Sequence, residues 1–506
     1  MPNLPSRPHR RSVSGPREGR GLLYPPSQLC YNPLRLISFQ ERAPTLTQTA
    51  PETRPTLIAA TEHQDEVFPA AFQILNQAIA DRAFPAASIA ITHRGRLIAR
   101  KAFGRFVYPE DGTASQGAPC FSHPSRAGGD FAVKPSTPFD LASVTKVVAT
   151  TAMAMILYER GLLDLDIQVE AVVPEFVSKF QAATGAPDAR RREVTIRELL
   201  AHSSGLPAYE KLFLKHRTRD ELLRAAYGVP LTGDPGTRAE YSDIGFILLG
   251  VALERIARES LDRFCRKEIF SPLGMKGTVF NPPPHLRPQI APTANENEEE
   301  EKEPWGPDTP ARDTPEAKEH PSASRSKFRG RIIQGEVQDE NAFLLGGVAG
   351  HAGLFSTAED LAKFAHAMLQ WGAGSGSASS GQAAARALPK TSHDPKKNKI
   401  STPGQEQLLR PETIALFTKR QATSNGTSRA LGWDTPSTPS QSGKYFSPQS
   451  YGHLGYTGTS LWIDPMRETS VTLLTNRTWP DGSNQSIKEV RPRFHDAVIE
   501  ALPTSE

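Results

Sequence analysis

The chain has 506 residues, of which 38% are apolar, enough for a sizeable buried core once its polar tracts are set aside. Its formal charge of +4 resides in the N-terminal tail, since residues 1–55 hold eight arginines against three glutamates; basicity therefore gives no ground for nucleic acid as the main partner. Cys30, Cys120 and Cys265 lie far apart with no C-x-x-C spacing, which speaks against a disulfide framework or a zinc site and fits a reducing compartment. No stretch approaches the roughly 20 apolar residues that a membrane span requires.

Residues 1–60, rich in Arg, Pro, Ser and Thr, read as a disordered tail. The tail has no secretory apolar region and its prolines interrupt any targeting helix, which leaves the cytoplasm as the default compartment. From 65 to 82 the spacing of Val67, Phe68, Ala71, Phe72, Leu75, Ala78 and Ile79 is helical. Residues 87–93 and 96–104 read as a hairpin turning at Arg94-Gly95. A Gly, Ser and Pro-rich connection over 109–138, long enough for a lid or an insertion, leads to Phe139-Asp140-Leu141-Ala142-Ser143-Val144-Thr145-Lys146.

That stretch runs into a segment apolar on every side up to Leu157, with Gly161 as its stop, so the spacing predicts a buried helix beginning near Ser143. Ser143 would sit on its first turn, where unpaired N–H groups stabilise negative charge on an attacking oxygen. Lys146, one turn on, would share that face, and a desolvated amine there can take the serine proton. A second Ser-x-x-Lys, Ser324 to Lys327, has no apolar helix after it and reads as solvated linker.

Further on, a short helix capped at Thr195 ends in Leu199-Leu200-Ala201-His202-Ser203-Ser204-Gly205-Leu206-Pro207, with His202 read as a hydrogen-bonded structural histidine. Glu240-Tyr241-Ser242-Asp243 opens another nearly all-apolar helix over 244–256. Two tracts, 293–326 and 372–407, read as low-complexity insertions; the second lacks the strand and the Gly-Lys-Ser/Thr of a phosphate loop. Between them, the glycines of Gly346-Gly347-Val348-Ala349-Gly350-His351-Ala352-Gly353 allow two backbones to approach closely, ahead of an amphipathic helix over 358–369. At the C-terminal end 451–463 and 470–475 read as strands about a turn at Asp464-Pro465, and a helix over 487–502 completes the chain. Glycines within 451–463 mark the close approach of a ligand or another backbone.

Ser-x-x-Lys opening one buried helix, Tyr-x-Asp opening a second and His-x-Gly on a late strand resemble, in that order, the serine β-lactamase and penicillin-binding-protein superfamily. The likeness is nearer to its class C-like branch, which includes D-alanyl-D-alanine carboxypeptidases and esterases. It covers about 65–502 apart from the insertions. The fold it implies is an α/β sandwich: an antiparallel sheet of about five strands from both chain ends, flanked by helices, with a mostly helical region of about 145–340 inserted between.

The resemblance implies that Ser143 is the acyl-accepting nucleophile, that Lys146 activates it, and that Tyr241 relays protons to the leaving group and orients water. Asp243, His453 and Gly455 fall on substrate-binding positions, and the backbone N–H of Tyr456 would join that of Ser143 in an oxyanion hole. Asp243 stands where the family more often has Asn. His453 and Leu454 replace Lys and Thr, removing the permanent cation that holds a β-lactam carboxylate, so uncharged esters or peptidoglycan-derived peptides are favoured over penicillins. A neutral His453 would donate to substrate and charge as the pH falls. The expected activity is a metal-independent, cofactor-free serine hydrolase forming an acyl-enzyme with a small ester, amide or peptide. The alternatives are a D-alanyl-D-alanine carboxypeptidase or β-lactamase, and a low-turnover binding or scaffold protein on the same fold; the sequence leaves the oligomeric state open.

Overall fold

The computed structural model describes residues 56–109, 132–184, 188–296, 328–373, 408–423, 426–480 and 482–502. The tail over 1–55, most of the 109–138 connection, Cys30, Cys120, the second Ser-x-x-Lys and the bulk of both insertions lie outside the described residues.

Strand periodicity builds the sheet. In Ala86–His93, Ala86 and Ala90 face one side while Ala87, Ile89 and Ile91 face the other; in Ser460–Asp464, Leu461 and Ile463 oppose Trp462 in the same way. Both faces are apolar, so both must be covered by helices. Pro69–Ala80 and Ile487–Ala501 pack on one face through Phe72, Leu75, Phe494 and Val498. Ala358–Ala373 covers the other through Leu361, Ala365 and Met368.

The sheet has six strands, in the order Ile58–Ala59, Arg96–Gly104, Ala86–His93, Thr469–Thr475, Ser460–Asp464 and Tyr451–Leu454. Five are antiparallel, as expected from the sequence. The sixth, Ile58–Ala59, pairs parallel to Arg96–Leu97 and lies inside the stretch read as a disordered tail. Two strands, rather than one, occupy 451–463. Gly455 to Thr459 turns the chain back on itself there, with Gly458 in the left-handed region at φ +93°. Alternating apolar residues on both sides of the turn hide it from a reading based on period alone.

The N-terminal helix expected over 65–82 is broken at Phe68, where Pro69 starts a new helix and cannot continue the old one. The hairpin turns at Arg94-Gly95 as its sequence requires, both residues having positive φ. At the start of the first insertion, Ala294–Asn295 pairs with Ile332–Ile333, and the buried Glu296 carboxylate holds the Arg329 guanidinium at 2.9 Å. Residues 293–296 are thus part of the fold, not of the inserted tract. The second tract likewise begins later than expected, since the helix runs on to Ala373. Close backbone approach is realised at Gly350, where a Cβ would collide with the Phe246 carbonyl.

Candidate active site

Three elements converge on the buried helix mouth. The segment from Phe139 does not enter a regular α-helix at once. It makes a tight turn over Ala142–Val144, wide π-type turns over Lys146–Thr151, and an α-helix only at Ala152–Glu159, ending at Gly161 with φ +67°. Ala142 is held at φ +45°, a strained value for a residue with a Cβ. Its N–H donates to Asp140 Oδ1 at 2.8 Å, and Asp140 Oδ2 accepts from Gln338 N at 2.7 Å. Burial pushes the Asp140 carboxyl up to about 6. Strain and its restraint therefore meet one residue before Ser143.

Lys146 is wholly buried and its Nζ lies 2.9 Å from Ser143 Oγ, 2.6 Å from Asp243 Oδ1 and 3.0 Å from the His351 carbonyl oxygen. Burial pulls the lysine down from its usual range, while the Asp243 carboxylate pulls it back up. Asp243, expected to face substrate, instead turns its Oδ1 toward this amine with its side chain only 6% exposed. His351 is fixed from behind, its Nε2–H donating to Asp339 Oδ1 at 2.8 Å.

The helix Asp243–Ala257 begins at Ser242, whose Oγ accepts from Gly245 N at 3.0 Å and donates to the Pro207 carbonyl at 2.7 Å. Ser242 N donates to His202 Nδ1 at 3.0 Å, and the His202 ring lies between Tyr241 and Phe246 at centroid distances of 4.7 and 4.9 Å. The reading of His202 as structural therefore holds. It clamps the turn that presents Tyr241, at φ +56° and beside the left-handed Gly205. A capping box of Thr195 and Glu198 starts the short helix before it.

On the sheet side the Gly455–Thr459 turn is stitched to the Ser143 turn. Thr457 Oγ1 donates to the Asp140 carbonyl at 2.8 Å and Thr459 Oγ1 to the Leu141 carbonyl at 2.9 Å. Gly455 has no room for a Cβ against that Leu141 carbonyl. Gly455 and Tyr456 thereby belong to a turn fastened to Asp140 and Leu141, just before Ser143, and the two threonines doing so carried no signal in the sequence beyond their place in a glycine-rich strand.

His453 departs from its expectation. Its Nδ1 lies 2.7 Å from the Leu454 carbonyl, an atom that can only accept, so the proton is on Nδ1; the buried Nε2, without a hydrogen-bonding partner, is an acceptor. Burial, then Lys146 and Arg429, hold the imidazole well below the usual histidine range. In this neutral form His453 has no second N–H to offer substrate.

The sequence also missed a cation. Arg429 places its guanidinium carbon 5.0 Å from the Tyr241 ring centroid, opposite Asp434 Oδ2 at 3.6 Å from Nη1. The loop that carries it is fixed: Asp434 and Gly452 exchange backbone hydrogen bonds of 2.9 Å, and buried Trp433 packs edge-on against Tyr451 at 5.0 Å. A permanent positive charge thus stands near His453 after all, supplied from a segment distant in sequence from the motif that ordinarily carries it.

A sandwich of this topology, with a serine and a buried lysine joined at the mouth of a central helix, defines a class of serine hydrolases. A family model described as Beta-lactamase matches residues 71–491, and the chain belongs to that family. It is 28% identical over 421 residues to a Salmonella typhimurium protein named provisionally as a D-alanyl-D-alanine carboxypeptidase, covering 80% of this chain and 82% of the relative. It is 30% identical over 407 residues to an N-acetylmuramyl-L-alanine amidase of Bacillus subtilis, covering 78% and 77%. The fold is shared with a penicillin-binding protein homologue of Caulobacter crescentus (TM-score 0.58, 18% identity, 86% of this chain and 98% of the other). EstCE1, a hydrolase with promiscuous acyltransferase activity, shares it as well (TM-score 0.56, 21% identity, 86% and 99%). No helix among the described residues is long and apolar enough to cross a membrane.

Proposed function

We propose that the protein cleaves amides or esters of the peptidoglycan-peptide kind by acylating Ser143, with Lys146 and Tyr241 handling protons. The backbone N–H groups of Ser143 and Tyr456 would hold the developing oxyanion. The observation that carries this reading is the buried bridge from Ser143 Oγ through Lys146 Nζ to Asp243, held against the Gly455–Thr459 turn by the Thr457 and Thr459 hydroxyls. Amide chemistry is supported by the names of the Salmonella and Bacillus relatives. The test is mass spectrometry after exposure to a fluorophosphonate and, separately, to a muramyl peptide and a p-nitrophenyl ester. An adduct on the peptide containing Ser143 is expected, with an acyl intermediate from the amide. Adducts confined to other serines refute the assignment, and turnover of the ester alone moves the substrate class to esters.

Arg429 supports a substrate with a carboxylate near the scissile carbonyl, because a guanidinium binds carboxylate in a two-point geometry that no neutral histidine can replace. Arg429→Ala is expected to lower kcat/KM for a carboxylate-bearing peptide by about ten- to a hundredfold relative to its carboxamide, the worth of a charge-assisted hydrogen bond. Arg429→Lys should recover part of the loss. An unchanged ratio between the paired substrates removes Arg429 from substrate recognition.

A further inference from the structure

Asp140 is buried, and both of its carboxylate oxygens are committed to backbone N–H groups. Oδ1 accepts from Ala142 N at 2.8 Å, within its own turn, and Oδ2 from Gln338 N at 2.7 Å, 198 residues away in sequence. Only the ionised form accepts well at both oxygens; a protonated carboxyl or an amide offers one good acceptor where two are needed. Burial raises this carboxyl to about 6, so its ionisation weakens the fold as the pH rises from about 4 to about 6, and stability does not account for a charge there at neutral pH.

What the charge holds is the backbone beside Ser143. Ala142 sits at φ +45°, a conformation that a residue with a Cβ leaves unless its surroundings hold it there. The Thr457 and Thr459 hydroxyls fix the carbonyls of Asp140 and Leu141, while the Ala142 N–H is taken by Asp140. The peptide that links Ala142 to Ser143 carries the Ser143 N–H of the proposed oxyanion hole, and its plane turns with Ala142. Relaxation of Ala142 to negative φ would displace that N–H, and with it Ser143 Oγ from its place 2.9 Å from Lys146 Nζ. We propose that Asp140 is a positioning residue: by accepting from both Ala142 N and Gln338 N it holds the strained turn that aims Ser143, without itself touching substrate. The inference rests on Ser143 being the nucleophile.

The far end of this latch is braced. Arg329 Nη1 and Nη2 donate to the carbonyls of Val337 and Gln338 at 2.6 and 2.8 Å, and the Glu296 carboxylate holds Arg329 in turn. The charged groups acting on Asp140 are Asp339, the neighbour of Gln338, which opposes its ionisation, and Arg329, which favours it. The strand Leu354–Ser356, which pairs with Phe139–Asp140, and the Gly455–Thr459 turn bring no acidic or basic side chain. As the pH falls through about 6, Asp140 takes up a proton, one oxygen ceases to accept well, and the turn is released.

The experiment is a double-mutant cycle of Asp140→Asn with Ala142→Gly, read as kcat and KM for one chromogenic ester and as the rate at which a fluorophosphonate labels Ser143. Glycine adopts positive φ without strain, so Ala142→Gly removes the need for the latch. Asp140→Asn alone should lower kcat and the labelling rate by about ten- to a hundredfold with KM within about twofold, the effect of a misplaced nucleophile. In the Ala142→Gly background the same substitution should cost about five- to tenfold less, the share that the strain contributes. An equal cost in both backgrounds overturns the proposal, and so does no cost in either. A rise in KM that matches the fall in kcat also overturns it, by making Asp140 a packing residue only. Should Asp140→Asn not fold, the pH profile of Ala142→Gly decides the matter: wild-type kcat should fall as the pH drops through about 6, and this acid limb should be weaker in Ala142→Gly. The same limb in both proteins overturns the proposal. Failure of Ser143 to label in wild type refutes the nucleophile assignment itself, and this inference with it, and is distinguished by requiring no variant.

Discussion

Ser143→Ala is expected to lower kcat by about ten-thousandfold or more and to abolish labelling by an active-site serine probe, because residues of a nucleophilic unit fail together rather than by increments. What remains should be the weak effect of binding and of the oxyanion donors, since the variant deletes one oxygen and leaves the turn intact. That turn is restrained by bonds that do not involve the Ser143 hydroxyl: Ala142 N to Asp140 Oδ1, and the Thr457 and Thr459 hydroxyls to the Asp140 and Leu141 carbonyls. Thermal stability should therefore be nearly unchanged. Substrate KM measured beside kcat separates the two possibilities, because a collapsed site raises KM whereas a missing nucleophile leaves binding in place.

Lys146→Met is expected to cost about 3–5 kcal/mol of stability in addition to activity, since it leaves Asp243 buried without its cation while the methionine fills most of the lysine's apolar volume. The check is a double-mutant cycle in chemical denaturation. Adding Asp243→Asn to Lys146→Met should restore at least half of the loss, because an amide in that position needs no counter-charge. Additive destabilisation by the two substitutions would show that the pair contributes through packing and not through charge.

How the site was legible follows from which residues announce themselves by neighbourhood. Ser143, Lys146, Tyr241 and Asp243 precede apolar runs too uniform to be surface helices, so burial of the helices and the placing of polar groups at their mouths could be read directly. Four antiparallel strands were legible from period two, with 451–463 read as one where the fold has two. The turn at Gly455 to Thr459 was not, because alternating apolar residues stand on both sides of it; Gly458 at φ +93° and the close packing of Gly455 on the Leu141 carbonyl fix where the chain reverses. Pro69 was passed over inside a helical spacing that it interrupts, and Ile58–Ala59 is too short to carry a pattern.

Arg429, Thr457 and Thr459 act across the fold, and nothing local marks them. Arg429 comes to Tyr241 because Trp433 is buried and Asp434 pairs with Gly452, and the threonines matter because their hydroxyls meet carbonyls more than 300 residues earlier. The direction of a single proton on His453 depends likewise on the neighbouring carbonyl. Covalent order determined which chemical groups stand at the mouths of the two buried helices, since periodicity and capping are properties of adjacent residues. Tertiary structure decided what those groups and their distant neighbours face, because hydrogen-bond direction and desolvation are set only once the chain is closed: Asp243 toward Lys146, His453 toward Leu454, and Arg429 toward Tyr241.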